Sequence, residues 1–544
     1  MGTAHDYLSA VMRRSRVGMP PIGYVPNWAD KPRLGKYYPD AQTFPLPQGD
    51  DPEAATFDLG LLPPPADPAP FDLTALGGML RDSYGLLSRR LAIHANDDLA
   101  SLPFYAGANW ARGTASGGGL YPVSVYWANG PSGPLTPGVH YYDTSHHALR
   151  RLLTGDVTPD VRAALDLPEL PEDTDQFLVL GIKFWQNAFK YNSFSYHATT
   201  MDVGTITQSW RMWARARGLS VEPAFWFDEE RLNALLGADA ADEGFFAVIP
   251  LRWDAAAGGG MASGAAAGGA PGRPAKASAE GPRVRHAEQE KSREPRTFET
   301  LEAMHAATRL GAADRPDRTA LAAARARPPR AGDAIALPEP APLDATVRGA
   351  LRARRSSFGR FAAEQPLTED QLSAVLYAAV AGGALPCDVA PAGGEGPSLV
   401  KMYAFVNHVE GIAPGVYEYA PDGNTLRPVA DGPQGTFLQQ NYFLSNYNVE
   451  QAGVVLVPTL RAAAVLDAVG DRGYRLVNAV VGAVAQATYS ACGALGLGCG
   501  AALGFDNISY IDRMGLDGTD EVPLLITLIG NERSDGADFR YEIA

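Results

Sequence analysis

Two short stretches of this chain are built from residues suited to a phosphorylated, planar ligand. Arg354-Arg355-Ser356-Ser357, with Arg360 just beyond, sets fixed cations and a hydroxyl at the end of a predicted helix. Guanidinium groups engage phosphate or an anionic ring bidentately. Thr114-Ala115-Ser116-Gly117-Gly118-Gly119-Leu120-Tyr121-Pro122 is a glycine-rich turn running into a strand, where bare backbone lets a ligand come close. Taken singly, the first is more often a solvated helix face and the second equally a flexible loop. Arg112, two residues before the turn, either reaches the same phosphate or lies on the surface. Other polar clusters point nowhere: His146-His147 lack companions at metal-ligand spacing. Gly496-Leu497-Gly498-Cys499-Gly500 follows a helix and lacks the third glycine of a dinucleotide turn. Cys387, Cys492 and Cys499 are odd in number, and the latter two read as small buried residues in an Ala/Gly-rich segment.

The elements that must carry these stretches occur twice. Pro137-Gly138-Val139-His140-Tyr141-Tyr142 recurs as Pro414-Gly415-Val416-Tyr417-Glu418-Tyr419, 277 positions on, and Tyr126 meets Tyr403 at the same displacement. At 278, Tyr196 meets Tyr474, Gly204 meets Gly482, Gln208 meets Gln486, Asp228 meets Asp506 and Gly237 meets Gly515. One indel in a domain-sized period is a tandem duplication. Each copy shows a β-hairpin around the Pro-Gly turn, opened by residues 120–128 and 402–406. Each also shows a long small-residue-rich helix, 201–217 and 476–495, ending at a glycine. Buried strands are expected at 176–182, 454–457 and 524–529.

Residues 255–340 change character, with Gly/Ala runs followed by Arg, Glu, Ala and Pro. Such sequence buries too little apolar surface to offset its ordering entropy, so a disordered linker is expected. A helix within 295–327 is left open, since Pro316 would interrupt it. The expected domains are therefore 1–254 and 341–544. A net charge of -15 over 544 residues opposes nonspecific attraction to nucleic acid or anionic lipid. No signal-like or membrane-spanning run stands out, and a cytoplasmic location is the expectation.

Together these features resemble a known family. Residues 351–376, with Arg354-Arg355-Ser356 followed by Leu367-Thr368 and a helix, are similar to the opening of an FMN-dependent nitroreductase domain. Ser116 to Pro122, the Pro-Gly-Val-x-Tyr hairpin and Lys190-Tyr191 resemble the SagB/ThcOx-type branch, the azoline dehydrogenases that make thiazoles and oxazoles in ribosomal peptide natural products. The resemblance implies an α+β fold of two tandem nitroreductase-like domains forming an intramolecular pseudo-dimer, with flavin at the interface. It implies FMN contacts at Arg354, Arg355, Ser356, Gly496 and Gly498 from one half, and at Ser116, Gly117 and Gly118, with Arg112, from the other.

The second copy offers Ala392-Gly393-Gly394-Glu395-Gly396 where the first has the serine turn. At 277 Arg354 faces Gly77, and Ser88-Arg89-Arg90 is out of register. The intact sets therefore combine once, giving one FMN per chain. Lys190-Tyr191, opposite Ala468 and Val469, is catalytic in the family. Tyr191, or Lys190 directly or by assisting the tyrosine, would take the ring proton while hydride leaves for the flavin, with dioxygen reoxidising it. Tyr196 and His197 could line the same region. The implied partners are an azoline-containing precursor peptide and a cyclodehydratase. Two rivals stand beside this: an NAD(P)H-dependent nitro or quinone reductase, and a flavin-free peptide-binding scaffold.

Overall fold

Strand residues in each half alternate between two apolar cores, which is why both sheets are buried on both faces. In β2, Val125 and Trp127 enter one core while Tyr126 and Ala128 enter another; in β8, Met402 and Ala404 oppose Tyr403 and Phe405 in the same way. The computed structural model describes residues 2–99, 101–258, 281–390, 398–534 and 540–543. The Gly/Ala run from Gly264 to Pro271 and the turn from Ala392 to Gly396 lie outside the described residues.

The first half contains β1 (Thr43–Pro45), β2 (Val123–Asn129), β3 (Gly138–Asp143), β4 (Ala148–Thr154), β5 (Gln176–Lys183) and β6 (Glu243–Leu251), in sheet order β1-β4-β3-β2-β5-β6. The second contains β7 (Ile335–Ala336), β8 (Val400–Val406), β9 (Gly415–Ala420), β10 (Thr425–Asp431), β11 (Val454–Leu460), β12 (Gly498–Ala502) and β13 (Ile526–Gly530), in order β7-β10-β9-β8-β11-β13-β12. The two orders coincide, with β12 added at the far edge. Even a register shift recurs, between Val139 and His140 and between Val416 and Tyr417. Outside the sheets, Ser88–Asn96 and Ser101–Ala111 form a long hairpin, and Arg540–Glu542 pairs with its first strand.

The helices that join the halves and position the site are α1 (Phe57–Leu61), α2 (Trp185–Tyr191), α3 (Ser195–Arg215), α4 (Glu299–Arg309), α5 (Val347–Ala353), α6 (Ala462–Val469) and α7 (Gly473–Leu495). Helices α3 and α7 are buried along nearly their whole lengths and cross in direct contact. A Cβ on Gly204 would overlap the Ala479 carbonyl, and a Cβ on Gly482 would overlap the Met201 carbonyl. The contact is reciprocal at a displacement of 278. Thr200 and its counterpart Asn478 bond to each other (2.8 Å).

A second reciprocal contact corrects the sequence register. Phe57 N–H donates to Ala345 O (2.8 Å) and Val347 N–H to Ala55 O (3.0 Å), around an isolated bridge between Thr56 and Thr346. Helix α1 is thus the counterpart of α5, at a displacement of 290. Arg354 stands opposite Pro64, and not opposite Gly77, which packs against the Pro47 carbonyl in another helix.

The expectation of a structureless linker is also corrected for residues 281–340. Leu301 and Met304 of α4 are buried, and Leu321 and Ala324 follow in a short 3-10 turn. Charge supplies what apolar content lacks. Glu229 accepts from Arg472 (3.0 Å) and Arg475 (2.9 Å), while Arg472 also donates to Thr308 O (2.9 Å) and Arg475 to His305 Nδ1 (3.1 Å). Burial alone would raise Glu229, but Arg475, His305 and Arg472 hold its carboxyl down at about 2. Burial depresses His305 to about 3. Tyr196 and His197 belong to this interior, bonded to Thr308 Oγ1 (2.6 Å) and the Tyr474 hydroxyl (2.7 Å). Among the described residues, no helix is long and apolar enough to cross a membrane.

Alanine at a typical mid-helix glycine gains about 1 kcal/mol. Here Gly204→Ala and Gly482→Ala are each expected to lower stability by about 1–3 kcal/mol, read by denaturant unfolding; a gain would mean that the helices do not touch there. Glu229→Gln leaves two buried guanidinium groups uncompensated and should cost about 3–5 kcal/mol. Both shifted groups bind protons more weakly folded than unfolded. Stability should therefore fall with pH from about 6.5 toward 3 through His305, and from 4.5 toward 2 through Glu229. His140 and His197, which burial also depresses to about 3, act in the same sense and Asp202 in the opposite one, so the difference between chains is what decides: a His305→Gln variant whose melting temperature changes between pH 7 and 4 as much as that of the natural chain would contradict the assignment.

Candidate active site

The turn Ser116–Leu120 is closed by its own serine. Ser116 Oγ accepts from Tyr121 N–H (2.8 Å) and donates to Asp202 Oδ2 (2.7 Å), and Gly117 N–H donates to Asp202 Oδ1 (2.9 Å). Gly118 takes φ 64°, and a Cβ there would overlap the Tyr191 hydroxyl and stand 2.9 Å from Lys190 Nζ. Only glycine serves at such a position. Lys190 and Tyr191, at the end of α2, therefore lie directly on the turn, with the ammonium 4.7 Å from the Tyr191 ring centroid. Asp202 is 4% exposed, and burial, against the bonds from Gly117 and Ser116, pushes its carboxyl up to about 7.

The second half reaches this turn from α5 and α7. Arg354 is buried and donates to Gly113 O (2.8 Å) and Arg112 O (2.9 Å), so this cation clasps the first half's backbone. Gln486 on α7 accepts from Ala115 N–H (2.7 Å) and donates to Gly113 O (3.2 Å). Arg355 and Arg360 both face Glu532, Arg355 in direct contact and Arg360 at 3.7 Å. Ser356 shares a hydrogen bond with the Tyr489 hydroxyl (3.1 Å), which accepts from Ala501 N–H (2.7 Å). Burial, with Cys499 nearby, pushes the Tyr489 phenol to about 12. Burial, then Tyr489 and Tyr191, raises Tyr442 well above its ordinary value.

The remaining expected residues have structural duties. Gly496 caps α7 in the left-handed region with φ 70°. Gly498, in β12, leaves no room for a Cβ beside Glu532 and Ser357. Arg112 is not on the surface: it is 4% exposed, with its guanidinium 4.6 Å and 4.4 Å from the Tyr84 and Tyr121 ring centroids. Asp202, Gln486, Tyr489 and Glu532 were not singled out from the sequence as site residues. Asp202 left one trace there, a carboxylate inside an apolar helix opposite Val480.

Ala390, Leu476 and Val480, counterparts of Gly113, Ala198 and Asp202, join Leu321 and Leu399 around a void of about 10 Å³. The turn Ala320–Ala324 packs on α6, the counterpart of the helix that carries Lys190 and Tyr191.

Residues 351–531 match the nitroreductase family. A Methanocaldococcus jannaschii protein put forward as a nitroreductase is 29% identical over 203 residues, 37% of this chain and 98% of its own length. The crystal structure of a protein from Anabaena variabilis, also put forward as a nitroreductase, superposes with TM-score 0.68 at 21% identity, covering 98% of this chain and all of that one. A chain of the E. coli microcin synthetase McbBCD complex with truncated pro-MccB17 bound is 20% identical, covering 33% of this chain and 71% of that chain; its TM-score of 0.28 is too low to bear on this fold. The full-length superposition shows a fold that runs through both halves, and within it residues 351–531 match the nitroreductase family model.

Proposed function

We propose that the chain is an FMN-dependent azoline dehydrogenase, an internal pseudo-dimer of domains 1–254 and 341–544 that holds one FMN between its halves. Its substrate in this reading is an azoline-containing peptide presented by a cyclodehydratase. One observation carries it: Lys190 and Tyr191 meet Gly118 on the turn that Arg354 and Gln486 bind from the other half. The donor set suits a phosphorylated ring, because Arg355 and Arg360 already converge on one anionic group. Arg355, Arg360 and Ser356, with the backbone of Gly117 and Gly118, would hold it. Bound FMN supplies the hydride acceptor. Tyr191, beside the Lys190 ammonium, would take the proton from the ring carbon next to the carbonyl. Val480 and Ala468, which stand where the first half has Asp202 and Lys190, support a single working site.

The ratio of FMN to purified chain should be one, and Arg355→Ala and Ser116→Ala, from opposite halves, should each weaken FMN affinity at least tenfold. A ratio of two would refute the composite site, and none would favour the scaffold. Tyr191→Phe should retain FMN yet slow azoline oxidation by about 10²–10⁴-fold. Under anaerobic conditions the azoline peptide should bleach the flavin; bleaching by NADPH alone would replace this reading with a nitro or quinone reductase.

A further inference from the structure

The turn that faces Lys190 and Tyr191 is pinned from below by side chains of both long helices. Asp202 holds Ser116 Oγ and Gly117 N–H, Thr205 Oγ1 donates to Ala115 O (2.8 Å), and Gln486 holds Ala115 N–H. The two pins on α3 are absent from the other copy, where the counterparts of Asp202 and Thr205 are Val480 and Ala483. Carboxylate, serine turn and Lys-Tyr pair have been kept together on one half. Ser116, moreover, has its hydroxyl turned toward Asp202 and its oxygen engaged by Tyr121, so it acts on the turn itself.

We propose that Asp202 is a positioning residue for the active site: through Ser116 and Gly117 it fixes the turn on which Lys190 and Tyr191 rest and against which the cofactor is received. What the turn receives rests on the proposed flavin function; that Asp202 shapes it does not. The carboxylate forms no ion pair among the described residues. Tyr84, from the helix Leu73–Tyr84, is the packed titratable side chain that feels its charge, with Arg112 beyond that ring. Lys190 and Tyr191 lie across the turn, and His197 and Arg211 share its helix.

Asp202→Val imports the residue of the other copy, and Asp202→Asn keeps an acceptor for Gly117. Hydrogen exchange of the peptide spanning residues 113–122, read by mass spectrometry on the full chain, should be at least tenfold faster in the Val variant and near natural in the Asn variant. FMN affinity should fall at least tenfold for Val only, with helix content unchanged in both. A carboxyl that is protonated more readily when buried than when free favours opening as pH rises. Exchange of this peptide, corrected for its intrinsic rate, should therefore quicken by up to tenfold per pH unit between about pH 5 and 7, levelling above 7. The Asn variant should show no such slope. Natural protection in the Val variant, or an equal slope in the Asn variant, overturns the proposal. A natural chain that takes up no FMN while the Val variant still loosens the turn would sink the flavin reading and leave the positioning role standing.

Discussion

Two long helices meet at a pair of glycines, and each glycine leaves the space that the other helix's backbone fills. Because a Cβ at either position would overlap a carbonyl, this docking requires glycine at both. That docking sets everything polar around it. It brings Gln486 on α7 under the turn at Ala115, and it carries α5 close enough for Arg354 to grasp the carbonyls of Arg112 and Gly113. A slip of one residue along the crossing would move those donors by about 1.5 Å and open the hydrogen bonds that define the site.

The symmetry of the docking contrasts with the asymmetry of the chemistry. Sheet order, register shift and helix crossing are repeated, as packing requires of two copies that share an interface. The polar groups are not. On one side Asp202, Ser116, Lys190 and Tyr191 of the first half gather on one turn, which Gln486 of the second half holds at Ala115. On the other, Val480 and Leu476 face Leu321 of the connecting segment. A buried cleft that has lost its polar partners is more stable closed by apolar groups than left wet or empty, which accounts for a linker segment settling there.

The connecting segment is held by the same logic in reverse. Helix α4 seats Leu301 and Met304 in the core and adds His305 and Thr308, which meet Arg472 and Arg475 around Glu229 in the interior. Two arginines, one carboxylate and a neutral histidine are a costly group to bury unless every member is placed. Once placed, they fasten both halves and the segment between them.

The sequence by itself determined the duplication, the hairpins and both long helices near their ends. These are carried by local pattern and by comparison of the chain with itself. It misjudged α1 against α5, because the displacement there is 290 and no motif spans the insertion, and it took residues 281–340 for disordered because their anchors are charges supplied by other segments. Which polar groups do each job was decided only by tertiary structure. Arg354 clasps a carbonyl 241 positions away, Asp202 holds a serine 86 positions away, and Arg112 is buried between Tyr84 and Tyr121. The spacing of such partners in the chain says nothing of their distance in space, because packing brings them together and no local pattern of residues encodes it.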